Sequence, residues 1–350
     1  GVDALSPIND AVKMAEKDVG KLAAEENPYI QARNANNGAT ARAEMLIGDN
    51  VESIPALRKF YNLPHDVTLR SAVAELPKGK ISESLKAEGF NTWEDALAGY
   101  ITAKRQIELQ KLNPDYSGPI DLVQGHKFVA THPELAKAAD SFYKFNDNIL
   151  QIAVDNGIVS KEVAAVLRAK YKNYASMSRD FSDVSAMEDF FGTGKGYINV
   201  GGVIKKIKEG SERAVVNPLE SAVKNAYIVL SRVERNKVAQ GVANLADVME
   251  GMPNAIAKRT ADTPSPTKSI FSVYQNGEKV NYQTTPELYR ALGSMDSEGM
   301  NIITKVLKYP AGWLRAGATL DPGFFFKNTN RDAFTAALYS KAEFIPGFDT

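Results

Sequence analysis

The sequence predicts a mainly α-helical fold, a multi-helix bundle with one long central helix and a small β-hairpin. Apolar residues recur three and four apart over most of the chain, the signature of helices with one buried stripe. Those runs are bounded by residues with helix-starting and helix-stopping chemistry, such as Asn217-Pro218 and Asn156-Gly157. One short stretch instead places β-branched and aromatic residues on both sides of Asn276-Gly277. At 350 residues the chain exceeds what one hydrophobic core usually serves. Three segments are expected: an N-terminal helical region over 1–90, a central helical domain over 91–259, and a β-hairpin with a C-terminal aromatic helical segment over 260–350.

Residues 9–25 predict an amphipathic helix with Val12, Ala15, Val19 and Leu22 on one stripe, stopped at Asn27-Pro28. The next stretches, Ala35–Gly38 and Gly48–Pro64, are rich in Asn, Gly and Pro and predict short helices and turns. From Thr92, the pattern Trp93, Ala96, Leu97, Tyr100, Ile101 predicts a helix to about Leu112, followed by a connector at Asn113-Pro114 and Ser117-Gly118-Pro119. Thr131-His132-Pro133-Glu134 reads as a capping box opening a helix that carries Phe142, Phe145, Ile149 and Ile152. Asn156-Gly157 stops that helix, and Ser160 starts the next, so the two form a helical hairpin.

The clearest element is Asn217 to about Met249, with Asn217 as N-cap, Pro218 at the first helical position and Glu220 as the capping acid. Its seam is Leu219, Val223, Ala226, Leu230, Val233, Val238, Val242, Leu245 and Met249, a near-heptad with one five-residue skip after Val233. After a Pro/Ser/Thr-rich loop over 260–269, Ile270–Tyr274 and Val280–Tyr282 flank Asn276-Gly277, the strongest short-range hairpin signal. Thr285-Pro286-Glu287 opens a further helix. The last forty residues concentrate aromatics, including Trp313, Phe324, Phe334 and Phe344, which are expected to pack in the core or against another subunit.

Composition narrows the function classes. Lys plus Arg is 42 and Asp plus Glu is 42, so the global field that draws a protein to nucleic acid or anionic lipid is absent. The chain has no cysteine, which removes disulfide scaffolds and thiolate chemistry. No apolar run reaches the roughly 18 residues that a bilayer crossing needs, and no transmembrane segment is expected. Beginning at Gly1 and stopping soon after Phe344-Ile345, the chain is expected to be a fragment or a processed product.

Motifs that carry chemistry are incomplete. In Gly192-Thr193-Gly194-Lys195-Gly196, the lysine is followed by Gly and Tyr where a phosphate loop needs Ser or Thr, so a loop without that role is expected. The three histidines are His65, His126 and His132; the last two are six apart rather than four, and no metal or other cofactor is expected. Glu83-Ser84 and Glu220-Ser221 each show the dipeptide of a helix-opening catalytic acid without companion motifs, so no catalytic residue is assigned. Eight Lys/Arg against four Glu between Lys205 and Lys237 leave a local excess of four positive charges. Lys205, Lys206, Lys208, Arg213, Lys224, Arg232 and Arg235 are the candidate nucleic-acid contacts, with weak binding expected. The competing reading is a solvated helix face paired as Glu220 with Lys224 and Glu234 with Lys237.

Trp313–Phe324, Lys327-Asn328-Thr329-Asn330-Arg331-Asp332, Ala337–Lys341 and Ile345-Pro346-Gly347 resemble a domain associated with the large polyvalent proteins of tailed bacteriophages and prophages. The likeness extends upstream to Tyr100–Arg105, Asp155–Ile158 with Tyr171–Arg179, and Asn217–Ser221. It departs at Lys327, where the family's usual residue is Arg, and at Ala175–Ser178, where Pro-rich wording is usual. The resemblance implies a virion-associated protein delivered with DNA, with self-association or other virion proteins as partners, located in the virion or in the host cytoplasm after delivery. It singles out Asn328, Arg331 and Asp332 as family-motif residues and attaches no catalytic role to them. Two other classes stay open: an enzyme, or part of one, built from dispersed carboxylates, and a nucleic-acid-binding module using residues 205–237.

Overall fold

A computed structural model describes residues 4–48, 54–115, 122–173 and 218–295. Within them the fold is mainly helical with a small antiparallel sheet. The helices are α1 (Ser6–Val19), α2 (Pro28–Ile47), α3 (Ile54–Tyr61), α4 (Leu69–Val73), α5 (Glu83–Ala87), α6 (Trp93–Leu112), α7 (Leu122–Thr131), α8 (Ala136–Asp155), α9 (Lys161–Lys170), α10 (Pro218–Val248) and α11 (286–295). The strands are β1 (Ala257–Thr260), β2 (Ile270–Gln275) and β3 (Glu278–Thr284).

Local chemistry accounts for most boundaries. α1 ends at Val19 because Gly20 takes φ +87°, so Leu22 reaches the core from a loop instead of a helix. Asn27 starts the next helix rather than stopping this one: its Oδ1 accepts from the N–H groups of Tyr29 (3.0 Å) and Ile30 (3.3 Å), with Pro28 in the first turn. Thr92 caps α6 through the Asp95 N–H (3.1 Å), and Ser160 caps α9 through the Val163 N–H (3.2 Å).

Three further expectations are corrected. Residues 35–38 are not a break: α2 runs unbroken from Pro28 to Ile47, because its flank of Ala32, Ala35, Ala39 and Ala43 is buried along α10 and that packing overrides local propensity. The expected connector after Pro119 holds α7. Thr131 is the last residue of α7, and its hydroxyl donates back to the Lys127 and Phe128 carbonyls instead of capping α8. A short 3₁₀ turn, Pro133–Leu135, precedes α8.

Two hydrophobic cores lie end to end. The first is built from the C-terminal half of α2, from α3 to α6, α8 and α9, and from α10 between Leu219 and Val233; Phe142, Phe145, Leu97, Leu230 and Tyr61 are fully buried in it. The second joins α1, the N-terminal half of α2, α10 from Val238 onward with Met249 just past its end, the sheet and α11. Each core therefore draws on more than one of the three segments expected from the sequence. α2 and α10 cross both cores as an antiparallel spine, and α10 spans 31 residues, about 47 Å at 1.5 Å per residue. Gly241 lets the spine close: a Cβ there would lie 2.9 Å from Gln31 Oε1 and 3.1 Å from Pro28 Cγ. The N-cap expected at Asn217 lies outside the described residues.

The predicted hairpin forms, with Asn276 (φ +51°) and Gly277 (φ +79°) in the turn and Val273 opposite Val280. It is part of a three-stranded sheet in the order β1-β3-β2, because Ala257–Thr260 adds a strand against β3. The hairpin tip docks on the α8–α9 turn, where the Gly277 N–H donates to the Gly157 carbonyl at 2.9 Å. A Cβ on Gly277 would come 2.7 Å from Ser160 N, whereas Gly251, also at φ +79°, has nothing within 4 Å. Gly277→Ala is therefore expected to cost about 1–3 kcal/mol in strain at positive φ plus the loss of docking, and Gly251→Ala the strain alone. Urea midpoints of the two variants measure the difference; equal midpoints would mean that the tip contact contributes nothing.

Candidate functional site

The five-residue skip in the α10 seam is where one core ends and the other begins. Val233 closes the first and Val238 opens the second, and between them stand Glu234, Arg235, Asn236 and Lys237. Apolar burial lapses here, and a polar belt crosses the spine.

One side of the belt is a charge cluster. A single Glu234 carboxylate oxygen accepts from Arg42 Nη1 on α2, from the Tyr61 hydroxyl on α3 (3.2 Å) and from Lys237 Nζ (3.2 Å). The Arg42 and Glu234 side chains are each 9% exposed, so the pair is held out of water. Phe60 covers the opening: Arg42 Cζ and Lys237 Nζ both lie 4.5 Å from its ring centroid, within cation–π reach. Burial pushes the Tyr61 phenol well above its usual range. Burial also lowers the Lys237 ammonium from its usual value, partly offset by Glu234. For Arg42 burial works in the same direction, but the Glu234 charge and Tyr61 outweigh it and the guanidinium is held more firmly charged.

The other side seals a strand edge. β2 is an edge strand, and its Tyr274 N–H donates to Asn236 Oδ1 while Asn236 Nδ2 donates to the Tyr274 carbonyl, both at 2.9 Å. Gln240 Nε2 adds a bond to the same carbonyl at 2.7 Å. Both amides also reach the Asn156 carbonyl, at 3.2 and 3.3 Å, so two side chains of α10 tie the hairpin to the end of α8. An amide that mimics a neighbouring strand satisfies backbone groups that would otherwise sit unpaired at a buried edge.

Two smaller polar joints lie nearby in the fold. On α6, Glu108 pairs with Arg105 (2.9 Å) and accepts the Asn173 N–H (3.1 Å), while the Arg105 guanidinium lies 4.7 Å from the Tyr171 ring. These contacts fix the backbone just beyond α9. On α8, Asp147 accepts from Arg168 Nε (2.6 Å) and meets His65 Nε2 (2.9 Å), and Asn148 holds the His65–Val67 backbone from both of its amide ends. Among the described residues, no group of three or more His, Cys, Asp or Glu is placed to hold a metal ion. No described helix is long and apolar enough to cross a membrane.

Of the candidate nucleic-acid contacts, Arg232 is half-buried on α10 and Arg235 is buried. Lys205, Lys206, Lys208 and Arg213 lie outside the described residues, as does the Lys224 side chain; Asn328, Arg331 and Asp332, the Gly192–Gly196 loop and the aromatic tail are also outside them. The expected Glu234–Lys237 pair is present, but on a buried face rather than a solvated one. Glu83 pairs with Lys86 at the surface, 2.6 Å apart. Arg42, Phe60, Tyr61, Asn236 and Gln240 were not singled out from sequence; the skip itself, four polar residues interrupting an apolar seam, was the available signal.

The chemistry of the belt is positional. Its carboxylate is engaged by three donors and its amides by backbone, so these groups hold helices and a strand edge in fixed relation instead of facing an open cleft. Neither a protein-family model, a curated protein nor a solved structure matches the chain.

Proposed function

We propose that this chain is a structural or delivery domain of a phage virion-associated protein, acting through assembly with its own copies or with other virion proteins. The observation that carries the reading is where the family-like blocks fall among the described residues. Tyr100–Arg105 is an almost wholly buried stretch of α6. Asp155–Ile158 is the turn that receives the hairpin tip, and Pro218–Ser221 begins the spine. Blocks that resemble the family thus sit at joints of the scaffold, which supports a part whose task is to hold shape. A cysteine-free chain also suits passage through a virion, since no cross-link can form to oppose unfolding and refolding.

Mass spectrometry of particles purified away from lysate tests this. Peptides of the chain are expected to co-purify with the capsid, and to enter recipient cells when new protein synthesis is blocked. Recovery from the producing cells alone, with none in the particles, would overturn the proposal.

A further inference from the structure

α7 lies along α6 with little of its own surface buried. Gly125 is its single buried residue, and Val123 is 77% exposed. It is held at its C-terminal end by an aromatic contact and a histidine. Phe128 lies on Phe90 (centroids 5.2 Å apart), meets the Tyr100 edge at 6.4 Å and packs against the His132 ring at 4.8 Å. Phe90 in turn rests on Gly99 of α6, where a Cβ would come 2.8 Å from the ring.

His132, one residue past α7, is fixed between two acids from different parts of the chain. Its Nδ1 lies 3.0 Å from Glu134 Oε1 in the 3₁₀ turn, and its Nε2 lies 3.2 Å from Glu88 Oε1 at the end of α5. The ring is buried, with a side-chain exposure of 5%. A carboxylate is an acceptor, and a neutral imidazole has one N–H, so both contacts are hydrogen bonds only when the ring is an imidazolium. We infer that α7 is a pH-gated strap, pinned to the body while His132 is charged and released from α6 when that charge is lost.

The direction of the gate follows from the surroundings. Burial disfavours the charged ring, but the hydrogen bonds it donates to Glu134 and Glu88 and their negative charges outweigh it, so the His132 pKa stands above the ordinary 6.5. A histidine raised on folding contributes stability that is fully present below the unfolded pKa and is lost as pH rises through the folded one. The strap is therefore closed in mild acid and opens on the alkaline side. Other ionisable groups on the packed elements are Tyr100 on α6, whose phenol is raised by burial and then by Asp140 and Glu134, and the exposed His126 and Lys127 on α7 itself. Tyr100, with its phenol raised, stays neutral over the range in which the strap opens. Gating by His132 is independent of whether the chain travels in a virion.

Hydrogen exchange of residues 122–132 between pH 6 and 8.5, corrected for the intrinsic pH dependence of exchange, reads the strap directly. Protection of α7 is expected to fall on the order of tenfold across the transition, the factor that one hydrogen bond to a charged group carries, while peptides from α8 stay unchanged. The midpoint should coincide with the His132 titration followed by NMR. His132→Gln should make α7 protection independent of pH. Glu88→Gln, at a half-exposed position that leaves folding intact, should move the midpoint down toward the ordinary histidine value. Flat α7 protection in the unmodified protein, or an equal pH response in His132→Gln, or an unmoved midpoint in Glu88→Gln, would overturn the inference.

Discussion

Replacing Glu234 with Leu is expected to destabilise the protein by about 3–5 kcal/mol, the cost of removing one partner from a buried ion pair. The side chain is close in volume to what the site holds, so the loss is electrostatic. Arg42 and Lys237 would face each other across Phe60 without the oxygen that both now share, and the Tyr61 hydroxyl would lose its acceptor. Helix packing elsewhere along α2 and α10 would be untouched. The triple change Arg42→Met, Glu234→Leu and Lys237→Met removes the charges together and is expected to recover most of the stability, since replacing a whole buried charge cluster by apolar residues is often neutral or better. Urea unfolding with unchanged slope measures both. A Glu234→Leu cost below about 1 kcal/mol, the range of solvent-exposed pairs, would place the cluster in water and defeat this reading of the belt.

The contrast between single and triple variants also bears on why a polar belt stands there. α2 meets α10 through small side chains: Ala32 and Ala35 share the second core with Ala239, Ala243 and Ala246, and Ala39 and Ala43 share the first with Ala222 and Ala226. Surfaces of small, similar side chains offer several nearly equivalent offsets along the helix axis. A buried Arg–Glu contact is satisfied in one offset alone, so it selects the register even where it adds little net stability.

The elements that could be read from sequence are those whose signal is local. α8 declares itself through Phe142, Phe145, Ile149 and Ile152, all buried as their spacing predicts. α10 is readable from its seam, whose nine positions are all buried, and the hairpin from Asn276-Gly277. What escaped reading depends on distant chain. α2 contains Asn36, Asn37 and Gly38, a combination with poor intrinsic helix propensity, and it is helical because α10 lies along it. β1 is Ala-Lys-Arg-Thr, unremarkable until β3 supplies its hydrogen-bonding partner.

The belt divides in the same way. Glu234 and Lys237 are three apart on one helix, so their pairing follows from helical geometry. Arg42 and Tyr61 reach the same carboxylate from 192 and 173 residues away, distances over which no periodicity speaks. The burial of the pair is invisible from α10 for that reason. From α10 alone, four consecutive polar residues look like a solvated face; only with α2 and α3 in place does that face become interior.

Leu230→Ala should cost about 2–5 kcal/mol, the range for emptying a buried leucine site. Leu230 is fully buried in the first core, on the seam position just before Val233. Its effect should not stop at that core. α2 and α10 are continuous through both cores, so the second core cannot keep its packing once the N-terminal half of α10 has let go. The variant is therefore expected to unfold in one transition, displaced to lower urea, with hydrogen-exchange stability reduced by the same amount in peptides from α8 and from β3. A Val242→Ala change in the second core should displace the same transition from the other end, by less because fewer methyl groups are removed. If Leu230→Ala weakened protection in α8 while β3 kept the full value, the spine would not couple the two cores and the belt would be a boundary between independently folding units. If it cost nothing, the seam would not be the core-facing side of α10 at all.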